Sequence, residues 1–427
     1  MKFKPYPNYK PSSIERLGNV PSGWKVKRLK QVASVFPSNV DKKSYEDEPP
    51  VRLCNYTDVY YNDTITADLE FMVATASPEQ IAKFTLRAGD TIITKDSETA
   101  DDIAIAAYVP NDIPGVICGY HLAMVRPLHG AFGGFIKRFF DSNYAKSKFA
   151  TLANGLTRVG LGQYALDNVE LPFPPYEEQV AIASFLDRET AKIDTLIVKQ
   201  EKLIELLKEK RQAVISHAVT KGLDPSVPMK PSGVEWLGDV PEHWRIERLA
   251  KVAYLQRGYD LTKDEMVEGS VPVVTSSGIN GYHNFAKVAA PGVVTGRYGS
   301  TGNFFYIEHD YWPHNTALYV KNFYGNSERF IFHMLSTLPF DMFNEKAAVP
   351  GINRNDVHRL FVAVPPFEEQ KAIVCHIEDT LKKIALLISK AESAIRLQKE
   401  HRTALISAAV TGKINVREAV SDLQEAA

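Results

Sequence analysis

Apolar residues recur in steps of three and four along two long stretches of the chain, and the stretches match each other. In the first, the seam runs Ala183, Leu186, Thr190, Ile193, Ile197, Gln200, Ile204, Leu207, Arg211, Val214 and Ala218. In the second it runs Val374, Ile377, Leu381, Ile384, Ile388, Ala391, Ile395, Gln398, Arg402, Leu405 and Ala409. A repeat of about 3.5 residues predicts a coiled-coil seam rather than the wider apolar face of a helix packed on a globular core. The ends match as well. PPYEEQVAIASFLD opens the first stretch and KRQAVISHAVTKG closes it; PPFEEQKAIVCHIE and EHRTALISAAVTGK do the same for the second. Gln179 maps to Gln370, Arg211 to Arg402, Ile215 to Ile406 and Thr220 to Thr411, at a constant offset of 191. Pro175 and Pro366 stand just before the first turn, where a helix tolerates proline. Glu177, Glu178, Glu368 and Glu369 place negative charge at the positive end of the helix dipole. Each helix spans roughly 60–65 Å at 1.5 Å per residue. Two unrelated surface helices are the alternative, but a duplicated seam with matched ends is what two mutually packed helices need.

A second repeat precedes each globular region. KPSSIERLGNVPSGWKVKRL at 10–29 matches KPSGVEWLGDVPEHWRIERL at 230–249, with Trp24 on Trp244 and Pro21 on Pro241, at an offset of 220. The second globular region is therefore 29 residues shorter than the first. The plan is arm and globular region over 1–174, long helix over 175–221, and a proline-rich linker and arm over 222–244. A second globular region over 245–364, a second helix over 365–412 and a tail over 413–427 complete it. Both globular regions mix short strand-like runs with one helix near the end, IKRFFDSNYAKSKFATLANG in the first and Ser327 to about Leu338 in the second. The fold class is mixed α/β. Divergent middles between repeated flanks suggest one scaffold presenting two recognition surfaces.

Composition narrows the class without naming it. A chain of 427 residues with 44% hydrophobic and 24% charged residues is ordinary for a soluble protein of two or more domains. MKFKPYPNYK is not a signal peptide, and no uncharged apolar run is long enough to cross a membrane. Cys54, Cys118 and Cys375 have no metal-like spacing and are expected to be reduced, in a cytoplasmic protein. Net charge is −1, so a nucleic-acid partner would require basic residues gathered in patches.

Several motifs resemble catalytic ones and fail on chemistry. FPPY at 173–176 and VPPF at 364–367 approach the signature of amino-methyltransferases, which needs a polar residue before Pro-Pro to accept from the target amino group. Phe173 and Val364 cannot do so. The chain shows no strand and Gly-rich turn for a dinucleotide-type cofactor, no Walker A, no HExxH and no G-x-S-x-G elbow. His309, His314 and His333 do not fall at ligand intervals.

Nucleic-acid chemistry is better supplied. Eight cations, Lys25 and Lys27 among them, stand in the first thirty residues against the single acid Glu15. A solvated basic tail is the alternative. Thr295-Gly296-Arg297-Tyr298-Gly299-Ser300-Thr301-Gly302 forms a glycine-rich loop after a strand, from which Arg297 can reach two acceptors on a guanine edge. The corresponding place in the first region holds Thr94-Lys95-Asp96-Ser97-Glu98-Thr99, where an acid can accept from a cytosine amino group. A plain hairpin turn is the competing reading of both.

These features together are similar to the specificity subunits of type I restriction–modification systems. PPYEEQ…FLD…KID…AVTKGLDP and PPFEEQ…AVTGKI carry the resemblance, with VEWLGDVPEHW and IERLGNVPSGW beside them. NYTDVY, GDTIITKDSE and GYH in the first region, and SSGINGY, GRYGSTG and NTALYV in the second, extend it. The resemblance implies two target-recognition domains held apart by an antiparallel coiled coil, each reading half of a bipartite, asymmetric DNA site. It adds Tyr120, His121, Ser276, Ser277, Asn280 and Asn315 to the candidate DNA contacts. It implies no catalytic residue or metal in this chain. Two methylation subunits carrying S-adenosylmethionine, and through them restriction subunits, are the implied partners. Polar seam residues Gln200, Arg211, Gln398 and Arg402 are expected to set helix register. A coiled-coil adaptor with two protein-binding modules is the alternative; steep weakening of DNA binding by salt separates the two.

Overall fold

The computed structural model describes residues 4–14, 16–297, 302–340 and 351–417. It divides into two compact units, Met1–Lys199 with Ala394–Ala427, and Gln200–Ser393. The long helices are Tyr176–Lys221 and Phe367–Val410, each contributing one part to each unit. Among the described residues no helix is long and apolar enough to cross a membrane.

The two globular regions share a strand plan that their sequences conceal. In the first unit a four-stranded antiparallel sheet runs in the order Ala33–Pro37, Leu122–Pro127, Thr91–Thr94, Ala106–Tyr108. Beside it lies a three-stranded sheet with Pro50–Cys54 between a parallel neighbour, Val116–Cys118, and an antiparallel one, Met72–Thr75. In the second unit the four strands are Tyr254–Arg257, Ala317–Asn322, Gly292–Gly296 and Phe304–Ile307. Val271–Thr275 again lies between a parallel strand, Trp312–Pro313, and an antiparallel one, Gly278–His283. Buried aliphatic side chains on both faces, such as Ile92 and Ile93 or Val293 and Val294, fix the central strands in place.

The helix expected over IKRFFDSNYAKSKFATLANG is two helices, Gly133–Asp141 and Asn143–Leu152. Ser142 between them is extended, and its hydroxyl accepts from Ala145 N as a cap on the second helix. The break lets Phe140 stack on Phe149 with centroids 5.2 Å apart, and both rings are buried. In the second unit the helix is Glu328–Leu335, with Ser327 as its cap.

The repeated flanks close each unit on the start of a long helix. Strand Lys25–Arg28 pairs with Glu170–Phe173, which leads directly into the first helix; Arg245–Arg248 pairs in the same way with Phe361–Val364. The buried indole of Trp24 donates to Glu178 Oε2 at 3.1 Å, and that of Trp244 donates to Glu369 Oε1 at 3.0 Å. The first-turn acids therefore anchor the arms as well as complementing the helix dipole. The glutamine after each of them is a clamp. Gln179 accepts from Phe132 N and donates to the carbonyls of Gly130 and Pro174; Gln370 accepts from Ser327 N and donates to Asn326 Oδ1 and the Pro365 carbonyl. Gln370→Ala is expected to destabilise the second unit by about 2 kcal/mol, because a buried amide and a carbonyl lose their partners. Thermal unfolding checks this, and an unchanged Tm counts against it.

Helix pairing is antiparallel inside each unit. In the first, Leu186, Ile193 and Ile197 share a buried core with Leu405, Ile406 and Ala409, and Ile395 packs against it. In the second, Ile215, Ala218 and Val219 share one with Ile373 and Ile377. Of the remaining seam residues, Leu207 and Ile384 are buried, and Ile204, Val214 and Ile388 are half-buried. Arg402 does not lie within the apolar seam. Its guanidinium reaches sideways to Asp194 at 3.0 Å and Asp63 at 3.3 Å, tying helix to helix and helix to recognition region.

Candidate nucleic-acid interface

In the first unit most of the candidate loop residues surround one cavity of about 720 Å³. Asp96, Ser97, Glu98, Tyr120 and His121 line it, together with Asp41, Lys42, Tyr56, Thr57, Tyr60, Tyr61, Asp102 and Arg158. Two short pairings build its floor. Lys95 N donates to His121 O at 2.9 Å, and Asp96–Ser97 pairs antiparallel with Val159–Gly160. Helix Tyr56–Tyr60 presents Tyr56 and Tyr60 one turn apart, stacked at 5.6 Å, with Tyr61 edge-on to Tyr60. Tyr60 donates its hydroxyl to Asp102 at 2.8 Å, and that bond raises the phenol pKa, keeping it a donor.

The charges in this site are unequal in what they have left to offer. Asp96 Oδ2 holds both the Lys95 ammonium and His121 Nδ1, each at 2.7 Å, and the Lys95 ammonium also lies 5.1 Å from the centre of the Tyr120 ring. Asp96 therefore positions its neighbours, and the acceptor left for a base amino group is Glu98. Thr99 stands at the edge, its amide on Ser97 Oγ at 3.4 Å. Lys25 and Lys27 do not line the cavity. Lys27 covers the Phe173 ring at 4.3 Å, and Lys25 is exposed at the start of the arm strand.

The second unit places its candidates on the same framework. Arg297 N donates to Thr316 O at 2.9 Å, and Arg297 O accepts from Ile352 N at 2.9 Å. Lys95 makes the matching pair with His121 O and Leu161 N. His314 N donates to Val274 O as Gly119 N donates to Cys54 O. Thus Arg297 corresponds to Lys95, Asn315 to Tyr120, and Ser276 to Tyr56. Asn315 donates to the Asp260 carboxylate. Ser276 and Ser277 form the turn of the hairpin Val271–Thr275 and Gly278–His283, on which Asn280 is exposed. Gly278 has φ +99, and a Cβ there would stand 3.1 Å from the Phe305 ring, so the turn needs glycine. Tyr298, Ser300 and Thr301 lie outside the described residues.

Eight lining residues were missed as candidates from sequence: Tyr56, Tyr60, Tyr61, Arg158, Asp41, Lys42, Thr57 and Asp102. The aromatic run YTDVYY was the available signal for the first three. Nothing in the sequence brings Arg158 to the cavity that Glu98 lines, because the pairing of Val159–Gly160 with Asp96–Ser97 joins segments some sixty residues apart.

The family described as the type I restriction modification DNA specificity domain matches residues 21–206 and again 241–395. The chain belongs to this family. The chain is 22% identical to the type I restriction enzyme MjaX specificity subunit of Methanocaldococcus jannaschii, over 98% of this chain and 99% of that one. In fold it is similar to a solved chain from a study of assembly and conformational transition in the type I R-M system. The TM-score is 0.72 at 15% identity, covering 92% of this chain and 98% of that chain. The HsdS subunit of Thermoanaerobacter tengcongensis is likewise similar, with a TM-score of 0.59 at 16% identity and the same coverage. The two family matches fall one on each globular region and run on into each long helix. A specificity subunit is the non-catalytic, DNA-recognising part of its system.

Proposed function

We propose that the two units are target-recognition domains that each read one half of a bipartite, asymmetric duplex DNA site. The paired helices then carry two methylation subunits, on which S-adenosylmethionine resides, and restriction subunits join through these in the cytoplasm. The domain limits follow the sequence repeats: recognition over 1–174 and 245–364, long helices over 175–221 and 365–412. One observation supports this reading above the others: equivalent positions on a shared strand framework carry different chemistry, Lys95 against Arg297, Tyr120 against Asn315 and Tyr56 against Ser276. Two frames with different reading groups select two different base sequences, so the site has unlike halves.

The test is co-expression with the methylation subunit and sequencing of methylated adenines. A two-part motif with unrelated halves is expected; a single continuous motif or a palindrome overturns the reading. DNA binding that does not weaken as salt rises would point to a protein-binding adaptor instead. Within this scheme Arg297→Ala is expected to relax one base position of one half-site by about 1–3 kcal/mol. Lys25→Ala is expected to weaken all sequences alike and flatten the salt slope. Competition against single-base variants of the site measures both. A uniform loss for Arg297→Ala would make it a phosphate contact.

A further inference from the structure

Glu98 and Arg158 share an uncommon position. The antiparallel register pairs Gly160 with Asp96 and Val159 with Ser97. The pairing ends there, and Arg158 and Glu98 are the next residues beyond it on the two chain segments, both outside the strands. Here neither makes a hydrogen bond or ion pair with any described residue, although nearby Lys95 and His121 are both engaged with Asp96, and Tyr60 with Asp102. Both side chains are exposed and both line the tyrosine-walled cavity. The framework fixes their backbones from both sides. Leu161 N donates to Lys95 O at 2.8 Å, and Asn154 and Gly160 exchange two backbone bonds that close the hairpin carrying Arg158. Gly160 has no room for a side chain, since a Cβ there would stand 2.7 Å from Asp96 Oδ1.

A planar five-donor fork beside an acceptor-only carboxylate matches one partner in duplex DNA. Guanine shows two acceptors in the major groove, O6 and N7, and its paired cytosine shows an amino donor beside them. We infer that Arg158 and Glu98 together read a single G·C base pair in the half-site of the first unit, Arg158 on the guanine and Glu98 on the cytosine amino group. This rests on the DNA-reading function proposed above, and deepens it by naming the base pair and the residues. An A·T pair fits less well: adenine places one donor next to one acceptor, and thymine leaves the carboxylate facing a carbonyl oxygen and a methyl group. Arg158 is thereby a specificity residue outside the motifs by which the family is recognised in this sequence.

The experiment uses the full chain assembled with its methylation subunits, and competition binding against every single-base-pair variant of its methylated site. Arg158→Ala and Glu98→Gln are each expected to lose discrimination at the same G·C pair, by about 5- to 150-fold, and to leave the other half-site unchanged. Arg158→Lys keeps the charge and removes the fork. It is expected to lose part of that discrimination, less than Arg158→Ala, while keeping the salt slope of the parent, which a misfolded variant or a lost phosphate contact would not do. The inference is overturned if the half-site of the first unit contains no G·C pair, if the two variants act on different base pairs, or if Arg158→Ala weakens all sequences equally. Failure of the underlying function is separately visible, because the unaltered complex would then show no preference for any sequence.

Discussion

Replacing His333 with leucine is expected to stabilise the second unit and to reduce its acid sensitivity between pH 6.5 and pH 4. His333 lies on helix Glu328–Leu335, is 4% exposed, and neither ring nitrogen has a hydrogen-bond partner among the described residues. Burial lowers its pKa to about 4, and the positive charges of Arg329 and Arg211 push in the same direction. The folded state therefore holds the ring neutral down to about pH 4, whereas the unfolded chain takes up the proton near 6.5. Between those values the unfolded state binds more protons, so stability falls as pH falls through the window and is fully present above it. The loss reaches on the order of 3 kcal/mol at the acid end. Above pH 6.5 the remaining cost is that of two buried, unpaired nitrogens, about 1–3 kcal/mol for each such group at most. Leucine fills a similar volume without either cost. Hydrogen exchange of the second unit from pH 4 to pH 7 measures the effect. Parallel pH profiles for the two proteins would show that His333 is not the group responsible.

The parts of the molecule legible in the sequence are those whose signals are local and periodic. A 3.5-residue seam repeated at a fixed offset identifies the helices Tyr176–Lys221 and Phe367–Val410, because register alone decides which face is apolar. Trp24 and Trp244 were legible as matched positions of a repeat, but not what they hold; only the fold shows each indole meeting the acid in the first turn of a long helix. The shared strand plan was hidden because it rests on pairings between distant segments, Leu122–Pro127 with Ala33–Pro37 for example, and tolerates almost any apolar residue inside. Ser142 misled for a physical reason: serine is compatible with a helix interior and also caps the next helix, and the buried stacking of Phe140 on Phe149 decides in favour of the cap. At the candidate site, Asp96 looked free because its partner His121 is 25 residues away.

Residues 1–222 alone, with the methylation subunit, are expected to form a dimer that directs methylation to a palindrome. The first unit needs the end of the second long helix: Ile406, Ala409 and Val410 lie in the same buried core as Trp24, Phe139 and Leu186. The fragment lacks that segment. Its own helix carries Ile215, Ala218 and Val219 at the corresponding positions, the same residue types, and in the intact chain these are already buried against Trp244 and its neighbours. A second copy can thus supply to the first what the missing helix supplied, and receive the same in return, which is an isologous interface that closes at two. Arg211 of the second copy would stand where Arg402 now reaches Asp63 and Asp194, so that polar tie is preserved. The fit is imperfect at one place. Gly412 has φ +73, and a Cβ there would lie 2.4 Å from the Pro21 ring, whereas the corresponding residue is Lys221. The helix end must shift until Gly222, which also has positive φ, takes the turn. That strain, and loss of the high effective concentration of two helices in one chain, make the dimer weaker than the native pairing. Two identical recognition units related by a two-fold axis read identical half-sites in opposite directions, so methylated adenines should map to an inverted repeat. Sedimentation of the fragment with its methylation subunit, followed by sequencing of modified adenines, gives both readouts. A monomer at micromolar concentration, or methylation at the asymmetric site of the full chain, would show that the two halves of the seam are not interchangeable.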